Sequence, residues 1–160
     1  MNDTFNLISV LRSRPQAVAA VSGSAEHPAI HGIVCFYQTR SGVVVYADIK
    51  GLPRTASQIY GFHIHSGFSC TGDIDGPFSD AKTHYDQDGR EHPCHAGDMP
   101  PLFGNDGHAA AVFLTDRFSV SEIISRVVII HDRPDDLTTQ PSGNSGTKIA
   151  CGVIKRSCTR

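Results

Sequence analysis

Apolar residues along the chain recur with the period of two that is typical of β-strands. In the clearest run, residues 43–50, Val43, Val45, Ala47 and Ile49 alternate with a mixed set of side chains. Such alternation predicts a strand that buries one face in a core. Short runs rich in β-branched and aromatic residues predict further strands at residues 17–23, 30–38, 61–67, 107–115, 127–131 and 150–154.

The breaks between these runs carry most of the glycine and proline. With 15 Gly, 9 Pro and no Trp in 160 residues, the chain suits short strands joined by turns better than a helical bundle. Residues 119–125 predict a short turn of helix or an irregular crossover. About forty residues after Gly67, and residues 133–146, are longer than ordinary turns and are therefore expected to be functional. The pattern predicts an all-β Greek-key β-barrel or flattened sandwich of about eight antiparallel strands with two long functional loops.

The charge of the chain is close to balanced. Fourteen Lys and Arg oppose 16 Asp and Glu, for a formal net charge of −2, and no basic stripe is present. This distribution argues against nucleic acid and membrane surfaces as partners. No window approaches the roughly 20 apolar residues of a membrane span, and Met1 is followed by polar residues rather than by a secretory signal. We therefore expect a cytoplasmic protein; the alternative is a protein from which a signal has been removed.

Histidine is the residue type that stands out, because five of the nine histidines lie within residues 61–98. A strand there places His63 and His65 on one face, while Phe62 and Ile64 point into the core. Two neutral imidazoles on one side of a strand make half of a metal site. Two solvent-facing histidines are the alternative interpretation of this pattern alone.

Further motifs accompany this pair of histidines. They are GFHIH at residues 61–65, HYD at 84–86 with His92 eight residues after His84, HAGD at 95–98, VIIH at 128–131 leading to DDL at 135–137, and GNSGTKIACGVI at 143–154. In identity and order these motifs resemble those of the copper/zinc superoxide dismutase family, over residues 17–154. The resemblance implies a dismutase domain at residues 17–160, preceded by an N-terminal extension at residues 1–16.

The resemblance also implies two metal sites that share one histidine. The positions that match the family's copper ligands are His63, His65, His84 and His131. Those that match its zinc ligands are His84, His92, His95 and Asp98. Four imidazoles with an open face suit copper, and three nitrogens with one carboxylate suit a closed structural zinc site. Asp135 matches an aspartate that links one copper histidine to one zinc histidine, and Cys70 and Cys151 match the family's disulfide.

The activity that the resemblance implies is conversion of two superoxide anions and two protons to dioxygen and hydrogen peroxide at copper. A homodimer, and a copper chaperone as a partner, are further expectations. One alternative is a dismutase-like protein that stores copper or zinc or binds metal chaperones. Loss of metal ligands would indicate this alternative. Another is a structural Greek-key module, which would lack the histidine loop. The chain retains all the matching ligands.

The chain departs from the family pattern at several points. Only two residues separate His92 from His95, whereas most relatives have a longer segment there, and the loop after His131 is shorter than in eukaryotic relatives. Lys148 stands where the family has the arginine that binds superoxide, and it keeps the positive charge without the planar fork of donors. We count Lys148 with the copper histidines as catalytic. Two charges near the C-terminus, Lys155 and Arg156, predict a rearranged or weaker dimer.

The remaining histidines and cysteines match nothing in the two sites. The histidines expected at the surface or in turns are His27, His31 and His108. Five cysteines are too few and too scattered for a secreted disulfide scaffold. We expect Cys35 in the core and Cys158 as a free thiol in the tail. Cys94 is either a bystander between two zinc ligands or a competitor for zinc.

Overall fold

A computed structural model describes residues 5–73 and 76–158, so parts of the predicted extension, first loop and tail (residues 1–4, 74–75 and 159–160) lie outside the described residues. The described strands are β1 (Ala17–Gly23), β2 (His31–Thr39), β3 (Gly42–Lys50), β4 (Ile59–Tyr60), β5 (Phe62–His65), β6 (Leu102–Phe103), β7 (His108–Thr115), β8 (Val127–His131) and β9 (Lys148–Arg156). The helices are α1 (Leu7–Arg12), α2 (Val120–Ile123) and a 3₁₀ turn (Ser79–Ala81). None of these helices has the length and apolar character needed to cross a membrane.

Seven strands form one sheet in the order β5-β8-β9-β1-β2-β3-β7, and β4 pairs with β6 in a second, two-stranded sheet. All of these pairings are antiparallel. The first and last strands lie side by side, and the steps from β3 to β7 and from β5 to β8 are crossovers rather than hairpins. The all-β barrel architecture predicted from the sequence is confirmed.

The period of two decides which side chains fill the barrel. Val43, Val45, Ala47 and Ile49 are fully buried in the core, together with apolar side chains from the other strands. Burial of a side chain of this size contributes about 1.5 to 3 kcal/mol. Asp48 on the opposite face of β3 is partly exposed. The alternation that predicted β3 therefore reflects one face turned to the core.

Five of the predicted strands, β1, β2, β3, β7 and β8, agree with the observed bounds to within one residue. Strand β5 is shorter than the predicted 61–67, β9 is longer than the predicted 150–154, and β4 and β6 were not predicted. Strands β4 and β6 have two residues each, which is too few to show alternation. The segment at residues 119–125 contains a helical turn, α2. Ser119 begins it with a capping box, in which its backbone N–H donates to Glu122 Oε2 at 2.6 Å.

Helix α1 lies against the outside of the barrel. Asn6 caps the helix by accepting a hydrogen bond from the Ser9 N–H at 3.0 Å. Val10 and Leu11 pack against a small outer cluster formed by Cys35, Tyr37 and Val44. This contact explains why Val44 is fully buried although it points away from the core.

Cys35 is buried in a hydrophobic cluster, as the sequence predicted. It lies in this outer cluster beneath α1 rather than in the main core. Burial also raises the pKa of the Cys35 thiol, which disfavours the reactive thiolate. Helix α1 therefore shields a thiol from solvent.

Replacing Leu11 with Ser should expose Cys35 to thiol reagents. The substitution removes part of the packing under α1 at a cost of about 1 kcal/mol, so labelling of Cys35 should become about fivefold faster. The exposed thiols Cys94 and Cys158 would first be changed to Ser, so that a colorimetric disulfide reagent reports Cys35 alone. Ile8→Ser is the control, because Ile8 is 64% exposed. Equal labelling rates in the parent that lacks Cys94 and Cys158, in Leu11→Ser and in Ile8→Ser would show that α1 does not shield Cys35.

Candidate metal centre

Four buried histidines meet where β5, β8 and the first long loop (residues 66–101) come together. They are His63 and His65 on β5, His131 at the end of β8, and His84 in the loop. Their ligand nitrogens all lie within 4.8 Å of one another. We call this group the four-histidine cluster. His63 and His65 are 0% and 2% exposed, so the alternative of two solvent-facing histidines is wrong.

The first long loop returns along the free edge of β5, and this return brings His84 to the strand. His84 lies opposite His65, and Asp98 lies opposite His63. The backbone of Ile64 accepts from Tyr85 N–H at 2.8 Å and donates to the Gly97 carbonyl at 2.9 Å. A Cβ at Gly97 would lie 2.2 Å from the Ile64 carbonyl oxygen. Glycine is therefore required for the loop to approach β5 this closely.

Two backbone carbonyls set the tautomers of His65 and His131. Nδ1 of His65 donates to the Lys82 carbonyl at 2.9 Å, and Nδ1 of His131 donates to the Gly146 carbonyl at 3.2 Å. A carbonyl only accepts, so each Nδ1 carries the proton and each Nε2 presents a lone pair. These two Nε2 atoms lie 3.3 Å apart. Two lone pairs at this distance repel each other unless a cation lies between them.

Protonation does not relieve that repulsion near neutral pH. Burial, followed by the neighbouring histidines, lowers the pKa of His65 well below its ordinary value. Burial, followed by His63, lowers the pKa of His131 to about 3. Both rings are therefore neutral, which is the form that binds a metal.

His63 and His84 complete the four-histidine cluster with nitrogens of the same kind. Nδ1 of His63 and Nε2 of His84 are buried and have no hydrogen-bond partner within the described part of the chain. The centroids of these two rings lie 3.9 Å apart. A buried polar atom without a partner costs about 1 to 3 kcal/mol. Four imidazole nitrogens of this kind fit a copper ion.

A second group adjoins the first and shares His84. We call it the carboxylate cluster; its members are His84, His92, His95 and Asp98, with ligand atoms within 4.8 Å of one another. The Asp98 carboxylate lies 2.7 Å from His84 Nδ1, 3.1 Å from His92 Nδ1 and 3.2 Å from His95 Nδ1. Three nitrogens and one carboxylate fit a tetrahedral zinc ion.

The acid-base state of the carboxylate cluster also suits a cation. Burial by itself raises the pKa of Asp98, but the hydrogen bond from His84 and the surrounding imidazoles outweigh it and hold the pKa below its ordinary value. The Nδ1 atoms of His92 and His95 have no hydrogen-bond partner among residues 5–73 and 76–158. The cluster thus offers one carboxylate and lone pairs on buried rings.

Asp135, in the second long loop (residues 132–147), connects the two clusters. Its Oδ2 accepts from His63 Nε2 at 2.7 Å, and its Oδ1 accepts from His92 Nε2 at 2.8 Å. Burial opposes ionisation of Asp135, but hydrogen bonds from His63 and the Leu137 N–H outweigh it, so its pKa lies well below the ordinary value. At Gly143 a Cβ would lie 1.9 Å from Asp135 Oδ1, so the loop packs directly on this carboxylate.

A cavity of about 470 Å³ opens onto the clusters from solvent. Lys148 lies at its wall, paired with His131 across β8 and β9. The Lys148 ammonium donates to the carbonyls of Lys82 and Phe78 at 2.9 and 3.2 Å, and burial lowers its pKa. Lys82 also lines the cavity, and its side chain is exposed. The cavity therefore joins two lysines to the four-histidine cluster.

The remaining cysteines and histidines lie as follows. A disulfide joins Cys70 in the first long loop to Cys151 on β9, which confirms that prediction. Cys94 is an exposed free thiol and belongs to neither cluster, which favours the bystander interpretation. Nε2 of His108 donates a hydrogen bond to Asp48 Oδ1 at 2.7 Å on the surface. The other two lie outside both clusters as well: His27 and His31.

Sequence reasoning did not identify the carbonyls of Lys82 and Gly146 as partners of the cluster. Every residue has a backbone carbonyl, so side-chain identity gives no signal for this role. Sequence reasoning also did not identify Gln140, whose side-chain amide hydrogen-bonds to the backbone of His92, because a backbone partner leaves no signal in the sequence.

A Greek-key barrel that gathers six histidines and one carboxylate into two clusters with one shared histidine defines a β-barrel metalloprotein with two adjoining metal sites. The family model described as copper/zinc superoxide dismutase matches residues 30–154. The chain therefore belongs to the copper/zinc superoxide dismutase family, whose metals are copper and zinc.

Curated relatives agree with this assignment. The superoxide dismutase [Cu-Zn] of Legionella pneumophila is 32% identical over 157 residues, which cover 93% of each chain. That of Escherichia coli strain K12 is 35% identical over 138 residues and 78% of each chain. Superoxide dismutase [Cu-Zn] 2 of Aquifex aeolicus strain VF5 is 34% identical over 133 residues, or 74% of this chain and 75% of the relative.

The metal-free protein should lose stability as the pH falls from 7 to 5. The folded pKa of His131 is about 3, below the unfolded value of about 6.5. The unfolded state therefore binds the proton first, and by pH 5 His131 alone should cost on the order of 2 kcal/mol. Urea unfolding at both pH values measures the loss. His131→Gln should reduce it, and equal losses in the variant and the natural chain would contradict the assignment.

Proposed function

We propose that this chain is a superoxide dismutase that holds copper in the four-histidine cluster and zinc in the carboxylate cluster. Copper would be bound by Nδ1 of His63 and by Nε2 of His65, His84 and His131. Zinc would be bound by Nδ1 of His84, His92 and His95 and by the carboxylate of Asp98. The observation that carries this proposal is the convergence of buried ring nitrogens that have no hydrogen-bond partner among the described residues.

Copper, when bound, supplies the one-electron redox chemistry that turns two superoxide anions and two protons into dioxygen and hydrogen peroxide. The residues of the chain hold the rings and handle the proton. His84 faces the carboxylate cluster with Nδ1 and the copper position with Nε2, so its Nε2 would be able to hold a proton, and pass it to the peroxide product, whenever it does not ligate copper. Asp135 holds His63 and His92 by their Nε2 atoms, which fixes the orientation of one ring in each cluster.

Lys148 attracts the superoxide anion to the cavity. An ammonium has three N–H donors, and two of them are used by the carbonyls of Lys82 and Phe78. One donor and the full positive charge remain for the anion. An arginine in this place would offer a fork of donors, whereas lysine offers a held point charge.

The assembly and location of the protein stay predictions from the sequence. We propose a homodimer, a copper chaperone as a partner and a cytoplasmic location. The side chains of Lys155 and Arg156 are exposed at the end of β9. A two-fold contact there would have to pair or avoid these charges.

Replacing His131 with Ala should abolish dismutation while the barrel stays folded. The chain would be reconstituted with both metals, and superoxide consumption would be followed beside bound-metal analysis. We expect a loss of at least 100-fold, because one of four ligands is removed, and no change in the surface control His108→Ala. A natural chain that binds both metals without accelerating superoxide loss would support the storage alternative instead.

Neutralising Lys148 should slow the enzyme by about tenfold, because the cavity loses charge that attracts the anion. Lys148→Arg should be as fast as the natural chain or faster, and the rate of both should fall as ionic strength rises. The measurement is superoxide consumption by Lys148→Met across a salt series. Lys155→Met is the matched control, since Lys155 lies exposed at the far end of the same strand. Equal rates for Lys148→Met and the natural chain would show that the attraction comes from elsewhere.

A further inference from the structure

Residues 92–95 form the shortened segment that joins two members of the carboxylate cluster, and side chains from outside the first long loop hold this segment. Gln140, in the second long loop, bonds both backbone groups of His92. The His92 N–H donates to Gln140 Oε1 at 3.0 Å, and Gln140 Nε2 donates to the His92 carbonyl at 2.6 Å. One amide side chain thereby makes the two backbone hydrogen bonds that a neighbouring strand would make.

Arg117, between β7 and α2, holds the same segment at two further points. Its Nη1 donates to the Pro93 carbonyl at 2.7 Å and to the His95 carbonyl at 3.2 Å. Together Gln140 and Arg117 satisfy three of the four carbonyls of residues 92–95. The two side chains come from different loops.

The segment has few constraints of its own. It lies outside every helix and strand. Its backbone bonds to flanking residues include Cys94 N–H to the Glu91 carbonyl at 2.8 Å and Asp98 N–H to the His95 carbonyl at 3.2 Å. Yet His92 and His95 must present their Nδ1 atoms to one point near Asp98. Fixing the backbone on either side of Cys94 fixes the Cα positions from which the His92 and His95 side chains extend.

We infer that Gln140 and Arg117 are positioning residues for the zinc site, where they do for this short segment what a longer loop would do by its own contacts. The inference rests on the zinc assignment proposed above. It concerns geometry rather than charge, because a guanidinium near a cation opposes metal binding. Groups that orient ligands in this way change metal affinity by about 10- to 100-fold.

Charge and geometry can be separated by the choice of variants. Gln140→Met has a similar size but neither hydrogen bond. Gln140→Glu keeps an acceptor for the His92 N–H but sets a carboxylate against the His92 carbonyl, so it should not rescue binding. Arg117→Lys keeps the charge but has a shorter side chain without the planar Nη1 group that donates to both carbonyls. Arg12→Met, on the exposed end of α1, is the matched control for loss of a surface guanidinium.

The test is Zn²⁺ affinity of the full chain, measured by competition with a chromogenic chelator. We expect Gln140→Met, Gln140→Glu and Arg117→Lys each to bind Zn²⁺ about tenfold more weakly than the natural chain, and Arg12→Met to bind equally. Co²⁺ substituted for zinc should show an altered ligand-field spectrum in the first three variants. Their melting temperatures should fall in the zinc-loaded form and change little in the metal-free form.

Two results would overturn the inference without touching the zinc assignment. One is natural Zn²⁺ affinity and an unchanged Co²⁺ spectrum in the Gln140 and Arg117 variants. The other is an equal fall in melting temperature with and without zinc, which would mark a purely structural role. A natural chain that does not bind Zn²⁺ would instead overturn the zinc assignment, and the positioning role with it.

Discussion

The structure depends on one constraint: neutral imidazole lone pairs are buried facing one another. The Nε2 atoms of His65 and His131 lie 3.3 Å apart, and their protons are committed to backbone carbonyls on the other side of each ring. Buried atoms without partners cost about 1 to 3 kcal/mol each. A cation turns this unfavourable contact into ligand bonds, so the free energy of metal binding is also free energy of folding.

The barrel makes that constraint tolerable because it supplies most of the cluster from rigid elements. His63 and His65 lie on β5 and His131 ends β8, and these strands pair directly. His84 comes from a loop, but that loop is bonded to Ile64 along the edge of β5. The rings therefore cannot separate to relieve their repulsion without breaking strand pairing.

The fold and the metal-binding residues could be predicted because their signals lie in side-chain identity. Alternation predicted β3, and the resemblance of the histidine motifs to those of the copper/zinc superoxide dismutase family predicted both clusters. The packing of α1 over Val44 could not be predicted. A helix of six residues is too short for its apolar positions to indicate which side is buried. The ring tautomers of the histidines could not be predicted either, since backbone carbonyls such as that of Lys82 set them. The contacts of Gln140 and Arg117 with the segment at residues 92–95 could not be predicted for the same reason. Their partners are backbone atoms that only folding brings near.

One backbone carbonyl, that of Lys82, contacts both the four-histidine cluster and Lys148. The Lys82 carbonyl accepts from both His65 Nδ1 and the Lys148 ammonium, each at 2.9 Å, which uses both of its lone pairs. Lys82 has a φ of +63°, a conformation uncommon for a residue with a side chain, and uncommon backbone angles persist where surrounding structure enforces them. The same turn therefore fixes a ring of the four-histidine cluster and holds the Lys148 ammonium, to which the proposed function assigns the attraction of the anion. Because Lys148 is held by this carbonyl and that of Phe78, a lysine here has the fixed position that an arginine would obtain from its fork.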